Sequence, residues 1–96
     1  MRVQWLAEAL LNLADILDAI AEESPQGAAM LSAEIQSKTA RLETQPKLNK
    51  TGRVRGTREC VITENYLLVY RIRGNDVQIL RMLHTRRQWP STSSKA

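Results

Sequence analysis

The apolar residues of this 96-residue chain repeat with one period before Pro46 and with another after Gly52. That change limits the fold more than any single residue does. Leu6, Leu10, Leu13, Leu17 and Ile20 recur every three or four positions, with Glu8, Asp15, Asp18 and Glu22 between them. This spacing predicts an amphipathic helix of about four turns. It should stop near Ser24-Pro25, because the residue before a proline is biased away from helical angles. Ser24 then suits an N-cap, with Pro25 at the first position of a second helix. Ala28, Leu31, Ile35 and Leu42 give that helix its apolar stripe, and it should end before Gln45-Pro46. Two helices with so short a link are most simply an antiparallel hairpin.

Strand patterns flank the helices. Arg2 to Trp5 alternates polar and apolar residues and reads as a short first strand. From Gly52 to Ile62 the period is two, with Val54, Arg58, Cys60 and Ile62 on one face and Arg53, Arg55, Thr57 and Glu59 on the other. Tyr66 to Arg71 is apolar on both faces, as a central strand would be. Gly74-Asn75-Asp76 marks a tight turn, and Val77 to His84 forms the last strand. The predicted class is α+β in the order β-α-α-β-β-β. A helical hairpin should cover one face of a mainly antiparallel four-stranded sheet, leaving the bases on the other face and the strand ends. Residues 1–90 are expected to form a single domain, and residues 91–96 a polar, disordered tail.

Charge divides at the same place as the period. Residues 1–46 carry three bases and seven acids, whereas residues 47–96 carry eleven bases and three acids. So uneven a split points to an anionic partner for the second half, either nucleic acid or an acidic protein segment. No apolar run is long enough to span a membrane, and the first helix holds acids within its apolar part, which favours a cytoplasmic protein with no membrane partner. One cysteine and one histidine cannot build a dedicated zinc site. The glycines are isolated and form no phosphate loop. No serine sits in a nucleophile motif, and Cys60 lies inside a strand pattern as a small hydrophobe would. No metal or cofactor is expected.

What remains is a cationic set: Lys47, Lys50, Arg53, Arg55, Arg58, Arg71, Arg73, Arg81, His84, Arg86 and Arg87. Such residues can position phosphates. They could also cleave RNA without a metal, if one group deprotonates the 2′-hydroxyl, another protonates the leaving oxygen, and arginines stabilise the charge. Histidine is the side-chain type that exchanges protons near neutral pH. A structural or docking role for His84 competes with a catalytic one, because the chain offers one obvious proton carrier where such cleavage usually wants two. Trp89 can either seal the end of the core or stack on a partner.

The stretches GRVRGTREC (52–60), ENYLLVYRI (64–72) and VQILRMLHTRRQWP (77–90), with the opening VQWLAEALLNLADILDAIAEESP, resemble the RelE/ParE superfamily of type II toxin–antitoxin toxins. The likeness spans roughly residues 2–90. It implies the same β-α-α-β-β-β fold, a cognate antitoxin, and contact with operator DNA only through the antitoxin complex. ParE-like members poison DNA gyrase, whereas RelE- and YafQ-like members are ribosome-dependent mRNA endonucleases. ILRMLHTRR is similar to the ParE-like ending. Leu67 stands where ribosome-dependent members often carry arginine. RECVITENYLLVY resembles the YafQ-like stretch, but Val61 and Asn65 replace its histidine and aspartate. The resemblance therefore favours a gyrase-directed toxin, with an mRNA endonuclease as the alternative and a non-toxic binding module as a third reading. Arg58, His84 and Arg86 would be catalytic in a nuclease. Arg53, Arg55, Arg81, Arg86, Arg87 and Trp89 would meet the target or the antitoxin.

Overall fold

The protein is described from a computed structural model over residues 1–86. The expectations for Arg87, Trp89 and the tail 91–96 lie outside the described residues. The order is β1 (Arg2–Trp5), α1 (Ala7–Glu23), α2 (Pro25–Thr44), β2 (Arg58–Thr63), β3 (Tyr66–Arg73) and β4 (Asp76–His84), which is the predicted α+β sequence of elements. The sheet order is β1-β4-β3-β2. β2 and β4 flank β3 in antiparallel register, and β1 joins the free edge of β4 in parallel.

The helix boundaries follow their caps. Ser24 is extended and its Oγ accepts the Gly27 N–H at 2.9 Å, with Pro25 at the first turn of α2. The same residue closes α1 through its N–H to the Ile20 carbonyl at 2.7 Å. One residue thus ends one helix and starts the next, which makes the hairpin tight.

One layer of core lies between the helices and the sheet. Leu68, Tyr70, Val77, Ile79, Met82, Cys60 and Ile62 face Leu31, Ile35, Leu42 and Ala9 from the helices. The expected α1 stripe is shifted. Ala9, Leu13, Ile16, Leu17 and Ile20 pack on the core, while Leu10 is half exposed. A three- and four-residue period admits both sets. The small side chain of Ala9, fully buried, sits in the first turn of α1, which lies close against β4 with the Leu6 N–H on the Ile79 carbonyl at 3.0 Å.

Beyond Ile79 β1 no longer covers β4, and α1 takes over that edge. Asn12 Oδ1 accepts both the Met82 backbone N–H at 3.0 Å and the Arg81 Nε–H at 3.1 Å. A backbone donor that would be orphaned at a buried edge is satisfied by a side chain.

β2 begins six residues later than the alternation suggested. The Thr57 N–H and hydroxyl both donate to the Val54 carbonyl, and Gly56 adopts φ 85°, so residues 53–57 form a turn. The chain before it, residues 50–52, runs back along β2: the Gly52 N–H donates to Thr57 O, the Glu59 N–H donates to Lys50 O, and Thr51 pairs with Arg58. Gly52 is required there, since a Cβ would lie 2.4 Å from Thr57 Oγ1.

The second face of the sheet is not uniformly basic either. Leu67, Val69 and Leu83 form a separate buried cluster there, with Leu80 packed against it. β3 is therefore apolar on both faces, as expected for the central strand.

Tyr70, fully buried at the middle of β3, anchors the α2–β2 connection. Its hydroxyl donates to the Pro46 carbonyl and accepts from Asn49 Nδ2 at 3.2 Å. Burial raises its pKa above the ordinary tyrosine value, chiefly by desolvation. The folded chain therefore favours the protonated hydroxyl. The stability this adds is complete at neutral pH and is lost as pH rises through the raised value. Tyr70→Phe should cost about 1–3 kcal/mol in urea unfolding at neutral pH, and its urea midpoint should fall less than wild type under alkaline conditions. Ser24→Ala should cost about 1 kcal/mol in the same assay; an unchanged midpoint would show that the shared cap is dispensable.

Candidate functional site

The expected cations fall into three places. Arg58 leads into β2 on the helix side of the sheet, in register with Tyr70. Its guanidinium donates to the carbonyls of Asn49 at 2.8 Å and Lys47 at 3.3 Å. It holds the incoming loop, as Tyr70 does from below.

His84 ends β4 on the same side but at the far end, in register with Tyr66. The two rings meet edge to face, with centroids 5.3 Å apart. Nδ1 of His84 accepts the Arg86 backbone N–H at 3.2 Å, which leaves Nε2 as the position able to carry a proton in the neutral ring. A cleft of about 330 Å³ opens there, lined by Asn12, Asp15, Ile16, Tyr66 and His84 among others. Arg86 is exposed just beyond it. Arg81 lies between these ends and is tied to Asn12 on α1.

Arg58 and His84 are thus separated by four positions along β3 and by two strand spacings. At ~3.3 Å per residue and ~4.8 Å per strand, their Cα atoms are about 16 Å apart. The structure does not bring Arg58 together with His84 and Arg86. Metal-free phosphoester cleavage needs its acid, base and charge stabiliser within hydrogen-bond reach of one phosphate.

The third place is the turn after residues 50–52. Arg53 is half exposed, and its Nε and backbone N–H both donate to Glu59 Oε2, at 3.2 and 3.1 Å. Glu59, on the strand face shared by sequence alternation with Arg53, Arg55 and Thr57, is only 4% exposed. A buried carboxylate without a partner would be costly, so Arg53 is fixed by the need to compensate it. Arg55 sits exposed at the tip of this turn.

Glu59 and Asn12 are the site-shaping residues that periodicity missed. An acid inside a run of bases, and an amide inside an apolar helix, were the available signals. Cys60 behaves as a core residue: burial raises its thiol pKa, and the opposing pull of Lys38 and Arg41 is smaller. A raised pKa disfavours the thiolate that nucleophilic chemistry requires. No helix among the described residues is long and apolar enough to cross a membrane.

Comparisons with known proteins bear on the same elements. The family described as "ParE toxin of type II toxin-antitoxin system, parDE" matches residues 3–89. A Sinorhizobium fredii protein named "Putative toxin Y4kP" is 36% identical over 90 residues, which are 93% of each chain. Among solved structures, one titled "Chromosomal ParDE TA system from P. aeruginosa" superposes with a TM-score of 0.74 at 22% identity, covering 88% of this chain and 95% of that one. A "YoeB/ParE toxin" from Agrobacterium tumefaciens gives a TM-score of 0.62 at 15% identity, covering 88% of this chain and 98% of its own. These two share the fold: two helices on a four-stranded mixed sheet. With nearly the whole length matched by the family and by a relative of this identity, the chain belongs to the ParE toxin family of type II toxin–antitoxin systems.

Proposed function

We propose that this chain is a growth-inhibiting toxin held in check by a cognate antitoxin, and that its target is DNA gyrase. Membership of the ParE family, together with the likeness to a structure titled as a ParDE system, supports the antitoxin. The choice of gyrase rests chiefly on the placement of two residues, with Leu67 in support. The residues that would form a nuclease centre, Arg58 and His84, stand at opposite ends of the helix-covered face, and Arg58 is engaged with loop carbonyls. Leu67, in place of an arginine, is buried in the apolar cluster of the second face. A toxin that works by gripping its target does not need acid and base groups to converge. It needs an exposed, rigid surface, which the cationic turn and the strand ends provide. In a cell the antitoxin would cover that surface, and contact with operator DNA would run mainly through the antitoxin.

The purified toxin should block gyrase supercoiling or trap cleaved DNA, and the antitoxin should reverse this. Normal supercoiling at saturating toxin would overturn the gyrase reading. His84→Ala should leave gyrase inhibition unchanged. Were the protein instead a ribosome-dependent endonuclease, losing a general acid or base would slow codon-phased cutting by about a hundredfold or more. Translation of a defined message in vitro, with and without His84→Ala, separates the two. Normal growth on induction without antitoxin would favour a non-toxic binding module.

A further inference from the structure

The side-chain alternation of the strands sorts the second face of the sheet, the one away from the helices, into two ends. Cys60, Leu68, Tyr70, Val77 and Ile79 face the helical layer. Their neighbours Glu59, Arg71, Arg73 and Gln78 must point the other way. Val3 and Trp5 pack on the core, so Arg2 and Gln4 share that second face. One end holds the apolar cluster of Leu67, Val69 and Leu83. The other end is cationic. Lys50 lies beside Glu59 in the returning loop, and Arg53 reaches Glu59 from the turn. Arg71 donates to Gln78 at 2.8 Å, and Arg73 pairs in register with Asp76, which in turn holds Arg2 at 3.2 Å.

The acids on this end are already engaged, Glu59 with Arg53 and Asp76 with Arg2. Lys50, Arg55, Arg71 and Arg73 have no carboxylate partner among the described residues. They sit on rigid supports. Lys50 is held by its carbonyl on Glu59 N–H, and Arg55 by the hydrogen-bonded turn closed at Thr57. Such preorganisation lowers the ordering cost of binding a polyanion.

We propose that this cationic end contacts the phosphate backbone of duplex DNA directly, without reading its sequence. The residue types select the partner. A protein interface would offer aromatic or aliphatic anchors at its centre. Here the apolar cluster is buried and the cationic end presents arginine, lysine and glutamine. Single-stranded RNA would call for aromatic platforms on which bases stack. Among the described residues the aromatic side chains, Trp5, Tyr66 and Tyr70, all point into the helical layer instead. What is left is a dense array of phosphates, which duplex DNA supplies at about one charge per 1.7 Å of axis. The proposal stands on the placement of charge and is independent of whether gyrase is the target.

Binding of purified toxin to a short duplex should be measured across a fourfold range of salt. The triple variant Lys50→Gln, Arg55→Gln, Arg73→Gln removes three exposed cations, and a thermal melt equal to wild type checks its fold. Each lost phosphate contact should flatten the plot of log affinity against log salt by about 0.9, so the triple variant's salt-driven loss should be about 40-fold smaller than that of wild type. The control Lys38→Gln, Arg41→Gln removes cations from α2, on the opposite side, and should leave the slope in place. Equal flattening by both sets would overturn the proposal, because net charge alone would then explain binding. Tighter binding of single-stranded RNA, or equal binding of polyglutamate, would also overturn it by assigning the surface to RNA or to an acidic protein. Gyrase inhibition by the same variants is read separately, so the target can fail while the DNA contact stands.

Discussion

β3 is hydrogen-bonded to an antiparallel neighbour on each edge, and from Leu67 through Tyr70 it is buried on both faces. A strand in that position has no freedom of register. A slip of one residue would exchange Leu68 and Tyr70 for Leu67 and Val69 and turn Arg71 into the helical core. The registers of β2 and β4 are referred to this strand. So, in consequence, are the positions of Arg58, Arg81 and His84. The Cα separation of Arg58 and His84 is therefore a property of core packing, and the Arg58 guanidinium is held at its own end by the Lys47 and Asn49 carbonyls.

Much of this architecture was legible in the sequence, for reasons that can be traced. The Ser24-Pro25 pair acts through local chemistry, a hydroxyl acceptor followed by a residue with no N–H, and such signals survive in any tertiary context. The double-sided apolar run of Tyr66 to Arg71 works the same way, because only a central strand can use it. The parts that escaped depend on contacts between distant residues. Leu10 and Ala9 fit one helical period equally well, and the approach of α1 to β4 decides between them. The start of β2 was misplaced because alternation continues through residues 52–57, whereas the positive φ of Gly56 and the Thr57 bonds to Val54 turn the chain there.

The candidate site was legible as composition and not as geometry. The bases were counted correctly as a cluster in sequence, but their roles differ once placed. Arg58 braces a loop, Arg81 is tied to an asparagine from α1, and Arg53 neutralises a buried acid. Glu59 is the clearest case. In the sequence it is one acid among bases on a polar strand face. In the fold it is the reason the basic turn has a defined shape, since its carboxylate takes two donors from Arg53 and its N–H holds Lys50. Periodicity cannot reveal a residue whose importance lies in what it pairs with.

The pairing of β1 with β4 joins the first described strand to the last, and β4 is its only sheet partner among the described residues. α1 packs mainly on β4, and α2 on β2 and β1, so most of the sheet that covers the helices is made after them. In a nascent chain that has finished its helical hairpin, each helix therefore has only β1 and the other helix to cover its apolar residues. Long-range pairing of this kind is the slow part of folding. The sheet can be completed only when residues 76–84 have cleared the ribosome. The cationic turn and the strand ends therefore take their places in the sheet only after β4 has been made. A chain cut short before residue 76 would lose the sheet partner of β1 and one of the two neighbours of β3.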